Sequence, residues 1–177
     1  MKCLYYLTST LDSTRKITGD LHEAGINDWF IHVLSKDVAG LKKYKIHSSN
    51  YLETLDILRY GILGGILGLF IGFIAVLLFS ATKPFGSDMP EIAYFLLLGF
   101  LTLFGTWEGG LAGIAAENKK TALFHEDLLA GNYLILIYAR KEAEGKVREV
   151  MRSKHPEANL AAVDPSFYNP LTKLERI

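Results

Sequence analysis

Residues 57–79 read ILRYGILGGILGLFIGFIAVLLF, and residues 92–116 read IAYFLLLGFLTLFGTWEGGLAGIAA. Each run is apolar apart from one charge, Arg59 in the first and Glu108 in the second. At about 1.5 Å of rise per residue, either run is long enough for a helix to cross an apolar layer about 30 Å thick. Ser80 to Pro90 separates them and carries Pro84, Gly86, Ser87 and Asp88, which is turn chemistry. The pair therefore reads as a two-helix transmembrane hairpin. A soluble hairpin would need more surrounding protein to cover both helices than a chain of 177 residues supplies.

The glycines of the hairpin are regularly spaced. Gly64, Gly68 and Gly72 fall four apart on one face of the first helix, and Gly105, Gly109 and Gly113 do the same on the second. Inside lipid no hydrophobic force draws helices together, so close backbone approach has to supply the contact. Antiparallel pairing that sets Gly68 against Gly105 also sets Gly64 against Gly109. The stripes fit a tight intramolecular hairpin or an interface between protomers, and Gly61, Gly65 and Gly99 leave room for both.

Charge outside the hairpin sets an orientation. Lys42, Lys43, Lys45, Arg59, Lys119 and Lys120 lie near the open ends, against Lys83 alone in the connecting loop. The positive-inside rule puts both termini in the cytoplasm of a bacterial cell, with the loop outside the inner membrane.

Working outward, both flanks repeat one pattern. Lys2 to Thr8 reads as a strand, Leu11 to Ala24 as a helix with Leu11, Thr14, Ile17, Leu21 and Ala24 at helical spacing, and Trp29 to Leu34 as a second strand. Beyond the hairpin, Tyr133 to Ala139 is a strand, Lys141 to Lys154 a helix stopped by Pro156, and Leu160 to Val163 a short strand. Two β-α-β units make an α+β, ferredoxin-like βαββαβ domain with the hairpin inserted between strands 2 and 3. The chain divides into a first βαβ half (1–47), a helical stalk (48–56), the two membrane helices (57–79 and 92–116) around an external loop (80–91), a second stalk (117–131), the second βαβ half (132–164) and an irregular tail (165–177). The first and third strands are apolar on both faces, yet two helices cover only one. The other face calls for another protomer, a stalk helix or the membrane surface.

Composition narrows the function. Half of the residues are hydrophobic, and the formal net charge is zero, which excludes nucleic-acid binding through a global basic field. The single cysteine, Cys3, sits in an apolar run and reads as a buried, inert thiol in a reducing compartment. The N-terminus has no long apolar core and no small-residue cleavage site, and reads as mature structure. His22, His32, His47, His125 and His155 are scattered, with no metal-ligand spacing; the run His125-Glu126-Asp127 points its side chains in different directions on a helix. No phosphate loop, nucleophile elbow or zinc-protease motif occurs, so neither a cofactor nor an enzymatic activity is expected.

Glu108 is the candidate for chemistry. An intramembrane carboxylate costs a few kcal/mol (about 2.5–3.5 on insertion scales) unless it is protonated, paired or hydrated. It could pin the hairpin by pairing with Arg59, snorkel to the interface, or bind a proton or cation along an oligomeric path.

The stretch Asp12–Leu41, DSTRKITGDLHEAGINDWFIHVLSKDVAGL, followed by LRYGILGGILGLFIG at residues 58–72, resembles a group of small uncharacterised bacterial inner-membrane proteins of the general-stress-protein type. There a helix and a strand of the type IHVLSK (31–36) precede a glycine-rich hairpin. More distantly, the chain is similar to the D subunit of alternative complex III, which joins a ferredoxin-like domain to two membrane helices. The resemblance implies architecture and no catalytic residue. The leading expectation is a non-enzymatic scaffold or regulatory protein that self-assembles through its hairpin and sheet. The alternatives are a small oligomeric cation channel or transporter using Glu108, and an accessory subunit of a larger membrane complex.

Overall fold

The computed structural model describes residues 1–86, 90–166 and 169–177. Ser87 and Asp88, read above as part of the hairpin turn, lie outside the described residues. The chain forms two compact units: Met1–Asn50 with Lys119–Ile177, and Tyr51–Asn118. In chain order the elements are β1 (Lys2–Thr8), α1 (Leu11–Glu23), a 3-10 turn (Asp28–Phe30), β2 (Ile31–Leu34), α2 (Val38–Lys43), α3 (Tyr51–Thr54), α4 (Ile57–Thr82), α5 (Glu91–Ile114), a second 3-10 turn (Ala122–Phe124), α6 (His125–Leu129), β3 (Tyr133–Ala139), α7 (Glu144–Lys154) and β4 (Asn159–Asp164).

The first unit is the ferredoxin-like domain. Its antiparallel sheet has the order β2-β3-β1-β4, with Tyr5 opposite Leu136 in β3 and Ala162 in β4. One face carries Leu4, Tyr6, Ile135 and Ile137, packed with Ile17 and Leu21 of α1 and Val147 and Met151 of α7. These helix positions recur at the spacing of one helical face, so burial of that stripe holds both helices to the sheet. Thr10 caps α1 by accepting from the Ser13 N–H at 3.2 Å, and Gly25 ends it at φ +83°.

The second face does not wait for another protomer. Cys3, Tyr5, Leu134, Leu136 and Tyr138 are covered from within the unit by Phe124, Leu128 and Leu174. Tyr5 and Phe124 stack at 5.7 Å, worth about 0.5–1.5 kcal/mol beyond the area buried. Of the three covers anticipated, the segment after the hairpin supplies this one. The tail, which carries no helix or strand among its described residues and is mostly exposed, adds to it at its end: Leu174 is buried, Arg176 bridges to Ala162, and the Ile177 N–H donates to Ala161 O at 2.9 Å.

Several element boundaries shift from the reading above: α4 runs on to Thr82, α5 spans Glu91–Ile114, and β4 spans Asn159–Asp164. Trp29 is exposed and belongs to a 3-10 turn, because the Asn27 side chain accepts from its N–H and turns the chain before β2. The helix after β3 begins at Glu144, later than Lys141.

The second unit holds the hairpin. Helices α4 and α5, of 26 and 24 residues, are long and apolar enough to cross a membrane, and most of their side chains are exposed. That exposure is the opposite of a soluble core helix. The segments leading in and out are not continuous helical stalks. α3 is one turn long, and Leu55 and Glu117 form an isolated antiparallel bridge. The Asp56 N–H donates to Ala116 O at 3.0 Å and the Asn118 N–H to Thr54 O at 2.8 Å. This clasp commits to the opposite strand backbone groups that a continuing helix would need for itself, so it interrupts both helices at the base of the hairpin.

Candidate functional site

The hairpin seam is built from absent side chains. A Cβ placed on Gly64 would stand 2.9 Å from Gly109 Cα; one on Gly105, 2.9 Å from Gly68 Cα; one on Gly113, 2.7 Å from Ile57 Cα. Real Cβ atoms do not approach so closely, so these positions admit only glycine at this helix separation. Gly72 packs on Leu98 and Leu101, Gly65 on the Thr106 hydroxyl, and Gly61 nearest Thr106 O and Gly110 N. Gly61, Gly64, Gly65, Gly68, Gly72, Gly105, Gly109 and Gly113 thus all face the partner helix of the same chain. Within α4 and α5, the glycines with open space beside them are Gly99 and Gly110. On the α5 side, the Thr106 hydroxyl donates to Thr102 O at 2.9 Å and the Thr102 hydroxyl to Leu98 O at 2.8 Å, so neither polar group needs a partner from lipid.

Glu108 and Arg59 do not meet. Arg59 Nη1 lies 3.0 Å from Asp56 Oδ2. It is two residues from both Ile57 and Gly61, which face α5, and about 100° per residue turns it to the far side of α4. Glu108 is exposed on α5, with no hydrogen bond or ion pair among the described residues. It lies about 9 Å inside the end of its helix, measured to Ile114. The expected Glu108–Arg59 pin is replaced by an Arg59–Asp56 pair at the mouth of the hairpin, which leaves Glu108 directed outward.

In the ferredoxin-like unit, charged side chains mostly staple elements together. Lys120, one of the cations that set the orientation, is buried. Its ammonium meets Asp164 Oδ2 at 2.5 Å, Asn169 O at 3.1 Å and Ser166 O at 3.4 Å. The Ser13 hydroxyl donates to Glu157 Oε1 at 2.6 Å, and His155 stands between Asp20, 2.8 Å from Nε2, and Glu157, 3.4 Å from Nδ1. This chain joins α1 to the end of α7. It is no catalytic triad, because the serine hydroxyl is bonded to a carboxylate and not to the imidazole. Bonds from Lys154 and then His155 hold the Asp20 carboxyl below the ordinary aspartate value.

The histidines prove less scattered than their spacing implied. His32 and His47 stack at 4.9 Å, and His32 meets the Tyr138 ring edge-on at 5.3 Å. Near-parallel stacking turns their ring nitrogens away from a common point, so the pair does not frame a metal. Among the described residues no group of three or more His, Cys, Asp or Glu side chains is gathered for a metal ion.

No family profile, curated protein or solved structure matches the chain. What the structure shows is the architecture: a four-stranded antiparallel sheet with two long apolar helices between its second and third strands, a ferredoxin-like domain split by a helical hairpin.

Proposed function

We propose that this protein is a bilayer-anchored, non-enzymatic scaffold or regulatory protein of a bacterial inner membrane, both termini cytoplasmic, and that it self-assembles through the outer flank of α5. The observation that carries the reading is Glu108. An exposed carboxylate in an apolar helix, with the guanidinium of Arg59 engaged elsewhere, is costly beside lipid alone. A neighbouring protomer offers hydrogen-bonding partners and excludes hydrocarbon. The glycine stripes are already used within the hairpin, and both faces of the sheet are covered, so assembly falls to the remaining surface.

The test is the mass of the full chain in nanodiscs, for the native sequence, Glu108→Gln and Glu108→Leu. A native oligomer that Glu108→Leu reduces to a monomer supports the reading. A native chain that stays monomeric at every protein-to-lipid ratio refutes it. Glu108 also favours one second reading, a cation conduit between protomers. That reading requires ion flux in proteoliposomes that Glu108→Gln abolishes while assembly persists.

A further inference from the structure

Three helices of the ferredoxin-like unit end in the same backbone motif. After α1, the Gly25 N–H donates to His22 O at 2.8 Å and the Ile26 N–H to Leu21 O at 3.0 Å. After α6, Gly131 donates to Leu128 O at 3.2 Å and Asn132 to Asp127 O at 3.0 Å. After α2, Lys45 donates to Lys42 O at 3.1 Å and Ile46 to Leu41 O at 3.0 Å. Each is a Schellman closure, whose pivot takes a left-handed conformation and is usually glycine. Gly25 and Gly131 obey, at φ +83° and +89°. The third pivot is a lysine at φ 55°. A β-carbon is strained in that region, so here a charge stands where the fold alone asks for glycine.

That charge has company. Lys42, Lys43 and Lys45 are all exposed, and none lies within ion-pair distance of a carboxylate among the described residues. Arg15, thirty residues earlier on α1, is brought to the same place, its guanidinium 5.5 Å from the centre of the Tyr44 ring. Lys43 Nζ stands 5.7 Å from that ring, which is itself exposed. Arg15 shares its charge with Asp12 at 2.9 Å, and the lysines keep theirs. A positive-inside signal needs only lysines near a membrane segment in the chain; it does not need one of them, with an arginine from another helix, set against an exposed aromatic ring.

We propose that the end of α2, with Lys42, Lys43, Tyr44 and Lys45, is a contact surface for anionic phospholipid headgroups. The chemistry suits it: unpaired ammonium groups for phosphate, and an exposed tyrosine for the headgroup layer. Continuity of the chain adds to this. Residues 46–56 are all that separate Lys45 from Ile57, the first residue of α4, and fully extended they span about 36–40 Å. A bilayer that holds α4 is therefore always within reach, at a high effective concentration.

Lysine acylation, read residue by residue by mass spectrometry, tests this on the full chain. It is compared in nanodiscs of phosphatidylcholine alone and in nanodiscs carrying about 30 mol% phosphatidylglycerol, enough for a substantial negative surface potential. Acylation of Lys42, Lys43 and Lys45 falls several-fold in the anionic discs, recovers at about 0.5 M salt, and does not fall at Lys146 on α7. Lys45→Gly separates lipid contact from folding. It relieves the left-handed strain, so the thermal midpoint holds or rises, while the lipid-dependent protection of Lys42 and Lys43 weakens. Equal acylation in both kinds of disc would overturn the proposal and leave the patch to an acidic protein segment. Full protection of Lys42 and Lys43 in a well-folded Lys45→Gly variant would overturn the role given to Lys45.

Discussion

Arg59 is bonded to Asp56, 3.0 Å away and one helical turn earlier, and not to the glutamate across the hairpin. Asp56 is almost wholly buried and Arg59 is partly exposed, so the pair closes the mouth of the hairpin and the carboxylate is the member that depends on it.

A double-mutant cycle distinguishes the two pairings. Asp56→Asn and Arg59→Gln couple by about 0.5 kcal/mol or more, as groups in contact do. Arg59→Gln and Glu108→Gln couple by less than about 0.3 kcal/mol. Reversible unfolding of the full chain in mixed micelles supplies both numbers. Strong coupling between Arg59 and Glu108 would contradict the outward placement of Glu108.

The glycine seam makes a contrast between positions of identical chemistry. Gly64→Val and Gly109→Leu force side chains into the backbone of the facing helix and destabilise the hairpin by about 1–3 kcal/mol, the usual cost of overpacking. Gly99→Ala and Gly110→Ala meet open space, and as helix-interior replacements of glycine they are neutral or stabilising by up to about 1 kcal/mol. Resistance of the purified chain to unfolding in increasing dodecyl sulfate ranks the four. If Gly110→Ala were as damaging as Gly64→Val, the seam would not be where it is described.

The C-terminal tail holds part of the second face of the sheet. Arg176 is ion-paired with Asp127 at 2.9 Å and lies 5.3 Å over the Phe124 ring, with Leu174 buried two residues before it. Leu174→Ala costs about 2–4 kcal/mol as a core truncation. Leu174→Asp, which buries a charge, releases the segment altogether. Hydrogen exchange follows the release directly: the Ile177 amide loses its protection while amides of β3 keep theirs. Unchanged exchange at Ile177 in Leu174→Asp would mean that the backbone bridge to β4 holds the tail unaided.

Much of this architecture is legible in the amino-acid sequence, and the part that is not has a physical explanation. Runs such as YLILIYA at 133–139 and the four-residue rhythm from Gly64 to Gly72 report burial and packing through side-chain type, so strands and seam follow from sequence. The clasp of Leu55 with Glu117 is made of backbone groups, which have no side-chain signature, and continuous stalks are the natural misreading. Lys120 and Asp164 are far apart in the chain and each looks like surface charge; only the fold buries them together. Leu174 stands three residues from both Leu171 and Ile177, which are exposed, so its spacing does not single it out as the buried one. The Arg59–Glu108 pair follows from counting turns along the hairpin. It fails because pairing also depends on the direction around the helix, and there Arg59 faces away.

The ionic staples of the ferredoxin-like unit predict how its stability depends on pH. Lys16 and then Arg15 hold Asp12 below its ordinary value, Lys154 and His155 do so for Asp20, and Lys2 and Arg148 for Glu144. The bond from Ser13 lowers Glu157 likewise. A carboxyl lowered in the folded state binds fewer protons there than when unfolded. Its stabilisation is complete above the unfolded values, 3.8 for aspartate and 4.5 for glutamate, and is lost as pH falls through the folded ones. Lys154 is raised by its bond to Asp20, so its share is complete below 10.5 and lost as pH climbs through the raised value. For these groups the urea midpoint, followed by near-ultraviolet circular dichroism, is level between about pH 6 and pH 9 and falls on both sides. The groups are solvent-exposed and screened, so each slope is shallow and added salt flattens it further. Asp20→Asn removes one acid-side contribution and the alkaline contribution of Lys154 together, because both arise from the same bond at 2.8 Å. A variant whose acid slope falls by the share of Asp20 while the full alkaline one persists would show that Lys154 is raised by some other neighbour.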